Sequence, residues 1–435
     1  MRKAVLTLSL VCLVSACSKN ENPMNSLPDL SAVRANLAFT CTHEADHLPA
    51  LDPESDKLFQ YARYLEKKDG PKNFDDVARY YRIAAAYGHY KANHNLQILV
   101  SSGMASSPDP ERESVDLAEQ LVKTGIPSGY YDIGHYLLNG YGLKQDADAA
   151  RRYIRKAADL GNADAQYYIS GLLAPADMAP DIATQMRQCA TDQGHAEAGD
   201  TLGTHFQDKK QYPQALIVFQ KATTSGSPGA ALSLEAGFAA LSDADQMDYL
   251  GVKQDLERSR RYELIGKFIS DNDGRNPKVP DIDKIVPFPP AKLPPWDGTF
   301  QWQREQDAAV PPQKPSEELI DKMAKAKSLD PATGLPLAAS SSKTSQLDES
   351  ATVAARVPIG TVASTGDACP EDGVWCAKLG AGQLGDAQRR FLRGDTLPSL
   401  VVHEPRQLAF LDNLMGTRKQ TSKVTWELVA YIDQA

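Results

Sequence analysis

The feature that most constrains this chain is a small-residue signature that returns at nearly constant spacing. Ala-x-x-x-Gly-x-x-x-Ala occurs at Ala84-Gly88-Ala92, Ala157-Gly161-Ala165, Ala190-Gly194-Ala198 and Ala222-Gly226-Ala230, with a degenerate copy at Gly125 and Gly129. The central glycines 88, 125, 161, 194 and 226 are 37, 36, 33 and 32 residues apart. Periods of this length mark stacked copies of one unit, because no single unit can bury its apolar side alone. Each copy reads as the end of one helix, a tight turn and the start of the next. Alanines let neighbouring helices approach, and glycine takes the left-handed backbone that stops the first helix. In the clearest unit Ile133, Tyr136 and Leu137 share one side of a first helix, and Ala150, Tyr153, Ile154 and Ala157 share one side of a second. The expectation is a mainly α chain: a solenoid of helix pairs over residues 54–270, ending in a degenerate pair at Ala231–Ala240 and Leu256–Ile269.

Leu138 to Gly161 adds a finer pattern, Leu-x-Gly-Tyr-Gly followed by Asp-x-x-x-Ala-x-x-Tyr-x-x-Lys-Ala-Ala-x-x-Gly. On these residues the chain resembles the Sel-one-like repeat family, relatives of the tetratricopeptide repeats, over about half its length. It departs from that pattern at Gly125, where Ile126-Pro127 follows, and in Leu173 to Pro180, where the loop carries two prolines. The resemblance implies an α-solenoid used for protein binding, with first helices lining an inner face. Tyr61, Tyr64, Tyr130, His135, Tyr167, His205 and Phe206 fall on expected first helices and are the candidate partner contacts. His89 and His195 follow repeat glycines at equivalent positions and are read as structural.

The N-terminus carries a different message. Arg2 and Lys3 precede an apolar run from Ala4 to Val14, too short to span a bilayer, which needs about 20 residues. The length and flanks suit a signal peptide. Val14-Ser15-Ala16-Cys17 resembles the lipobox of bacterial lipoproteins. That resemblance implies cleavage after Ala16, lipidation of Cys17, and a periplasm-facing protein anchored in the cell envelope. Ser18 resembles the pattern that permits transfer to the outer membrane. Residues 1–16 are thus read as signal and 17–53 as lipidated tether and lead-in. With Cys12 removed and Cys17 lipidated, Cys41, Cys189, Cys369 and Cys376 remain, an even number suited to disulfides outside the cytoplasm. Cys369 and Cys376 are close neighbours in a turn-rich segment and form the better candidate pair. A Cys41–Cys189 link requires the fold to bring distant residues together. The net charge of −9 becomes about −11 without Arg2 and Lys3, and no basic run exists for nucleic acid.

Beyond the repeats, seven prolines and two tryptophans lie between Asn276 and Trp302, too many prolines for a helix or a central strand. Residues 271–337 are read as a proline-rich strap anchored by Trp296 and Trp302, with a short helix at Glu317–Lys327. Residues 338–356 read as a flexible Ser/Ala-rich linker, and 357–435 as a small β-rich module. Thr365-Gly-Asp-Ala-Cys-Pro-Glu-Asp-Gly-Val-Trp-Cys376, Gly394-Asp-Thr-Leu-Pro398 and Trp426-Glu-Leu428 resemble modules found in type VI secretion effector–immunity clusters.

His43-Glu44-Ala45-Asp46-His47 satisfies His-Glu-x-x-His, in which two histidines one helical turn apart grip zinc and the glutamate activates water. Pro49 and Pro53 follow at once and no apolar face surrounds the motif, so a helix, a metal site and an enzyme are not expected. Neither a Gly-x-Ser-x-Gly elbow nor a phosphate-cradling Gly-x-x-x-x-Gly-Lys loop occurs, and no cofactor is implied. The whole layout of lipobox, array, strap with Pro-x-Trp-Asp-Gly-Thr-Phe and small C-terminal module resembles lipoproteins encoded beside type VI secretion phospholipase effectors. That resemblance implies an immunity protein whose partner is a phospholipase toxin. An envelope scaffold or effector-loading adaptor is the rival reading, and a zinc hydrolase through His43 and His47 a remote third.

Overall fold

The structure is a computed structural model that describes residues 37–176, 178–241, 247–337, 356–380, 387–404 and 418–431. Ala16, Cys17 and nearly all of the linker lie outside the described residues. The repeat glycines end helices as their spacing predicts: Gly88, Gly125, Gly161, Gly194 and Gly226 all have positive φ, between 74° and 102°. They separate six helix pairs. These are α1 (Pro53–Lys67) with α2 (Phe74–Ala86), α3 (Tyr90–Ser101) with α4 (Pro110–Lys123), and α5 (Pro127–Asn139) with α6 (Ala147–Asp159). Then come α7 (Ala163–Leu173) with α8 (Pro180–Asp192), α9 (Ala196–Asp208) with α10 (Tyr212–Thr224), and α11 (Pro228–Ala239) with α12 (Leu256–Asp271). The fold is therefore an α-solenoid of Sel-one-like helix pairs. No described helix is long and apolar enough to cross a membrane.

Local chemistry explains the starts. Asp52, Asn73, Asp109, Asp146, Asn162, Ser227 and Asp255 each cap a helix by accepting backbone N–H groups with a side-chain oxygen. Pro53, Pro110, Pro127, Pro180 and Pro228 stand at first helical positions, where a missing N–H costs nothing. The repeat alanines Ala84, Ala92, Ala157, Ala165, Ala190, Ala198, Ala222 and Ala230 are all buried where helices meet. A larger side chain there would overpack the contact at a cost of about 1–3 kcal/mol.

Three added segments lie on this array. The lead-in crosses the middle pairs: Cys41 is joined to Cys189 of α8, 148 residues away. The strap completes both ends of the array. Val279, Ile282, Ile285, Val286 and Phe300 share a core with α10, α11 and α12, and Trp296 and Trp302 pack against it. Phe300 stacks on Phe268 at 3.9 Å. After α13 (Ile282–Ile285) and α14 (Gln301–Ala308), helix α15 (Glu317–Ala326) packs instead on the first pairs. There Ile320, Met323, Ala324 and Leu329 join the core of Leu58, Tyr80, Ile83 and Leu96.

The third segment is the β module. Strands β1 (Val362–Ser364), β2 (Gly373–Lys378), β3 (Gln388–Phe391) and β6 (Thr425–Tyr431) form an antiparallel sheet in the order β1-β6-β2-β3. Strands β4 (Leu400–Glu404) and β5 (Arg418–Ser422) pair separately. Trp375, Trp426, Phe391 and Leu428 fill its core. It docks on the second and third helix pairs through Arg390 on Glu119 and through Arg152, which bonds Asp395 at 3.1 Å and covers the Phe391 ring. The expected Cys369–Cys376 disulfide is not formed; both cysteines are free. Strand alternation is the reason. Trp375 and Ala377 of β2 share the core with Cys369, while Cys376, between them, points to the other face. The buried Cys369 thiol instead donates to the Glu371 carbonyl at 3.2 Å.

Candidate protein-binding face

The first helices carry the chemistry, beginning at their N-terminal ends. The residue after each repeat glycine is the cap of the next first helix. His89 and His195 use Nδ1 to accept the N–H groups of Ala92 and Ala198, both at 3.1 Å. Their Nε2 atoms face Asp56 and Asp164 on the first helices one pair earlier, both at 3.2 Å. Each histidine thus ties two successive pairs together. At Gly125 the cap position is Ile126, which has no polar atom to offer. Glu44 of the lead-in supplies one: Oε1 accepts from Ser128 N at 3.0 Å and Oε2 from the Asn162 side chain at 3.0 Å. The Glu44 N–H in turn reaches Gly161 O and Gln193 Oε1, and Gln166 donates to Thr42 O. Burial raises the Glu44 pKa, aided by repulsion from Asp164 and opposed by the hydrogen bonds from Asn162 and Ser128.

This arrangement settles the His-Glu-x-x-His pattern. Residues Glu44–His47 form one 3-10 turn, and His43 precedes it in extended conformation at φ −105° and ψ 139°. The two imidazoles are therefore not ligands on one helical face, and the glutamate is engaged as a helix cap. His43 lies beside Cys41 and Cys189, but those sulfurs are bonded to each other.

Further along the first helices a polar seam joins the second and third pairs. His94 Nδ1 faces Asp132 Oδ2 at 3.4 Å, Gln97 donates to the same oxygen at 3.2 Å, and Tyr136 donates to Gln97 Oε1 at 2.8 Å. Burial opposes charge on His94, but the bond and attraction to Asp132, with Asp164 and Glu44 beyond, outweigh it and lift its pKa to about 9. Asp164 is lowered, first by its bond to His195, against the effect of burial, with His94 and His135 adding attraction.

The expected contact residues divide. Tyr130 is core, 6% exposed and packed near Tyr153, so its assignment to a partner surface is corrected. An apolar position facing the second helix of its own pair cannot also face outwards. Tyr61 and Tyr64 are half-buried neighbours with ring centroids 6.2 Å apart. His135 is half-buried between the Tyr131 ring, at 4.5 Å, and the Tyr168 ring, at 6.0 Å, and burial lowers its pKa. Tyr167 stacks obliquely on His195 and bonds Thr201 at 3.2 Å. His205 lines a cleft with Arg187, Asp200, Thr204 and Asp208, and Phe206 packs towards the core of the last pairs. The sequence reading missed His94, Asp132, Tyr131, Asp164 and Tyr168. The i,i+4 spacing of Tyr131 with His135 and of Asp164 with Tyr168 on first helices was the available signal.

A family described as a domain of unknown function, DUF6396, matches residues 230–337. No curated protein matches the chain. Among solved structures, a Sel1 repeat protein from Oxalobacter formigenes is 20% identical, with 50% of this chain and 90% of that one covered and a TM-score of 0.40. Immunity protein PA5088 from Pseudomonas aeruginosa is 26% identical over 58% of this chain and 94% of its own, with a TM-score of 0.49. Immunity protein Pa5087 from the same organism is 30% identical over 58% of this chain and 95% of its own, with a TM-score of 0.47. The solved structures similar to this chain are thus immunity proteins and Sel1 repeat proteins, at low identity. In this Sel-one-like array rings, imidazoles and carboxylates from successive first helices stand side by side on a scaffold pinned by caps, a disulfide and a strap. Such a surface is equipped to bind a folded partner.

Proposed function

We propose that this protein is an immunity lipoprotein: anchored through Cys17 and facing the periplasm from the outer membrane, it binds a type VI secretion phospholipase toxin and blocks its active site. The observation that carries the reading is the first-helix face. Tyr131, His135 and Tyr168 of two pairs are gathered there beside the His94–Asp132 seam, on helices whose starts are fixed by long-range contacts. Inhibition by occlusion requires a rigid, chemically varied surface and no catalytic group. Immunity is also the role named for PA5088 and Pa5087. A net charge of −9 would steer the protein towards a basic enzyme and speed encounter. The lipid anchor would hold it beside the phospholipids at risk.

The test is survival of cells that export the candidate phospholipase to their periplasm, with and without this protein. Rescue is expected, together with tight binding and loss of lipid cleavage by the purified pair. Tight binding that leaves the lipase active would overturn inhibition and favour the adaptor. Rescue that survives Cys17→Ser at equal abundance would remove the anchor from the mechanism.

A further inference from the structure

The region matched as a domain of unknown function, residues 230–337, is not one compact body. It runs from the last helix pair through the strap to the far end of the array. Ile282, Ile285 and Phe300 complete the core of the last pairs, and Ile320 and Met323 that of the first. One continuous segment therefore contributes buried side chains to both ends of the solenoid. Between the two anchorages, residues 303–314 are exposed except for the partly covered Pro312.

Polar pins hold each anchorage. At the last pairs Lys278 donates to Ser225 O at 2.6 Å and Gln220 to Asp283 at 2.9 Å. At the first pair Arg79 bonds Glu317 at 2.7 Å, and Tyr87 donates to Met323 O at 3.1 Å. Burial lowers the Lys67 pKa at the close of α1, and the charges of Arg63 and of Arg275, just past α12, add to that effect.

Reach sharpens the point. From Trp302 to Ser316 the bridge is the short helix α14 and a run of extended residues. At ~1.5 Å per helical residue and at most ~3.6 Å per extended one, it spans no more than about 38 Å. Neighbouring helices stand ~10 Å apart, so six pairs in a straight stack would separate first from last by roughly 50 Å. The bridge fits only a bent array.

We infer that the strap is a clasp: it joins the first and last helix pairs and so fixes the curvature of the solenoid. In such arrays curvature is the sum of small rotations between neighbours, each soft, and a link between the ends removes that freedom. The first-helix face is then held in one shape before any partner arrives, which lowers the ordering cost of binding. The inference depends on no particular toxin, so it stands or falls separately from the immunity reading.

The experiment cuts the clasp and leaves every packed residue in place. A site for a sequence-specific protease is inserted between Val310 and Pro311 of the full chain, and spin labels are attached by non-cysteine chemistry at exposed Gln60 and Lys267. Cleavage is expected to leave helicity unchanged while the distance between labels broadens and shifts to longer values. Inserting about twenty Gly/Ser residues at the same point, enough for roughly 25 Å of coil, is expected to broaden the distances without any break. An unchanged, narrow distribution in the cleaved or the lengthened protein would overturn the clasp.

Discussion

At Gly88 and Gly161 the chain makes the same left-handed turn, φ 79° and 102°, between a second helix and the next first helix. Around Gly88 there is open space, and the following helix is capped by its own His89. Around Gly161 a Cβ would lie 2.4 Å from the backbone of His43, because the lead-in runs against the turn. Gly226 repeats the second situation, with the strap carbonyl of Pro277 at 2.4 Å. The same glycine that ends a helix therefore also serves as the seat for an added segment. The repeat is regular where it stands alone. It drifts where something is laid across it, as at Ile126, whose missing cap is replaced by Glu44, 84 residues before the Ser128 amide that it accepts.

The sharpest way to break this contrast is to release the lead-in. Removing Cys41–Cys189 as the double serine variant should cost about 2–4 kcal/mol, as loss of a disulfide closing a long loop does. The loss should appear in denaturant melts as a lower midpoint. Hydrogen exchange should speed at the Ser128 amide and remain unchanged at the Ala92 amide in the self-capped second pair. Equal exchange at both sites would mean that the lead-in does not support the middle of the array.

A second test compares the two glycines themselves. Gly88→Ala meets only the cost of a side chain in left-handed backbone, about 1–2 kcal/mol. Gly161→Ala must also displace His43 and Glu44, so a loss of about 3 kcal/mol is expected. Thermal midpoints of the two variants decide it, and equal shifts would show that the lead-in yields freely.

Much of this contrast was legible in the sequence and some of it could not be. The glycine spacing placed the turns and the first and second helices, because a helix stop is a local, steric event. The last degenerate pair and the helix at Glu317 were legible for the same reason. The partner of Cys41 was not, since pairing across 148 residues is decided by the superhelix rather than by any nearby residue. Cys369 and Cys376 misled through proximity alone, because sequence closeness says nothing about which face of β2 each thiol takes. The strap was expected, but its second anchorage was hidden: Ile320 and Met323 look like any amphipathic helix until the first pair supplies the other half of their core. The His94–Asp132 seam likewise needs two helices from different pairs to become visible.

Capping gives the third, smaller comparison. His89→Ala removes one local cap and one tie to Asp56, for about 1 kcal/mol. Glu44→Ala leaves Ser128 N and the Asn162 side chain without their acceptor, so about 2 kcal/mol is expected. Denaturant midpoints of both variants in one buffer would rank them, and the reverse order would sink the trans-capping account.

The smallest effect sets the histidine that caps helix α3 against the one within it. Burial lowers the pKa of His89, so the folded protein holds it neutral while the unfolded chain protonates near 6.5. Its contribution is present above that value and is lost as pH falls through it. His94 behaves oppositely. Its pKa is raised to about 9 by Asp132, so the folded state keeps a proton that the unfolded chain gives up. That contribution is complete below about 6.5 and is lost as pH rises through about 9. With 42% of the His94 side chain exposed, the slope should be shallow. His94→Gln should flatten the alkaline side of a midpoint-versus-pH curve and leave the acid side unchanged, whereas His89→Asn should relieve the acid side alone. If either variant changed both limbs equally, the two imidazoles would be titrating as one coupled group, and the separation between cap and seam along α3 would not hold.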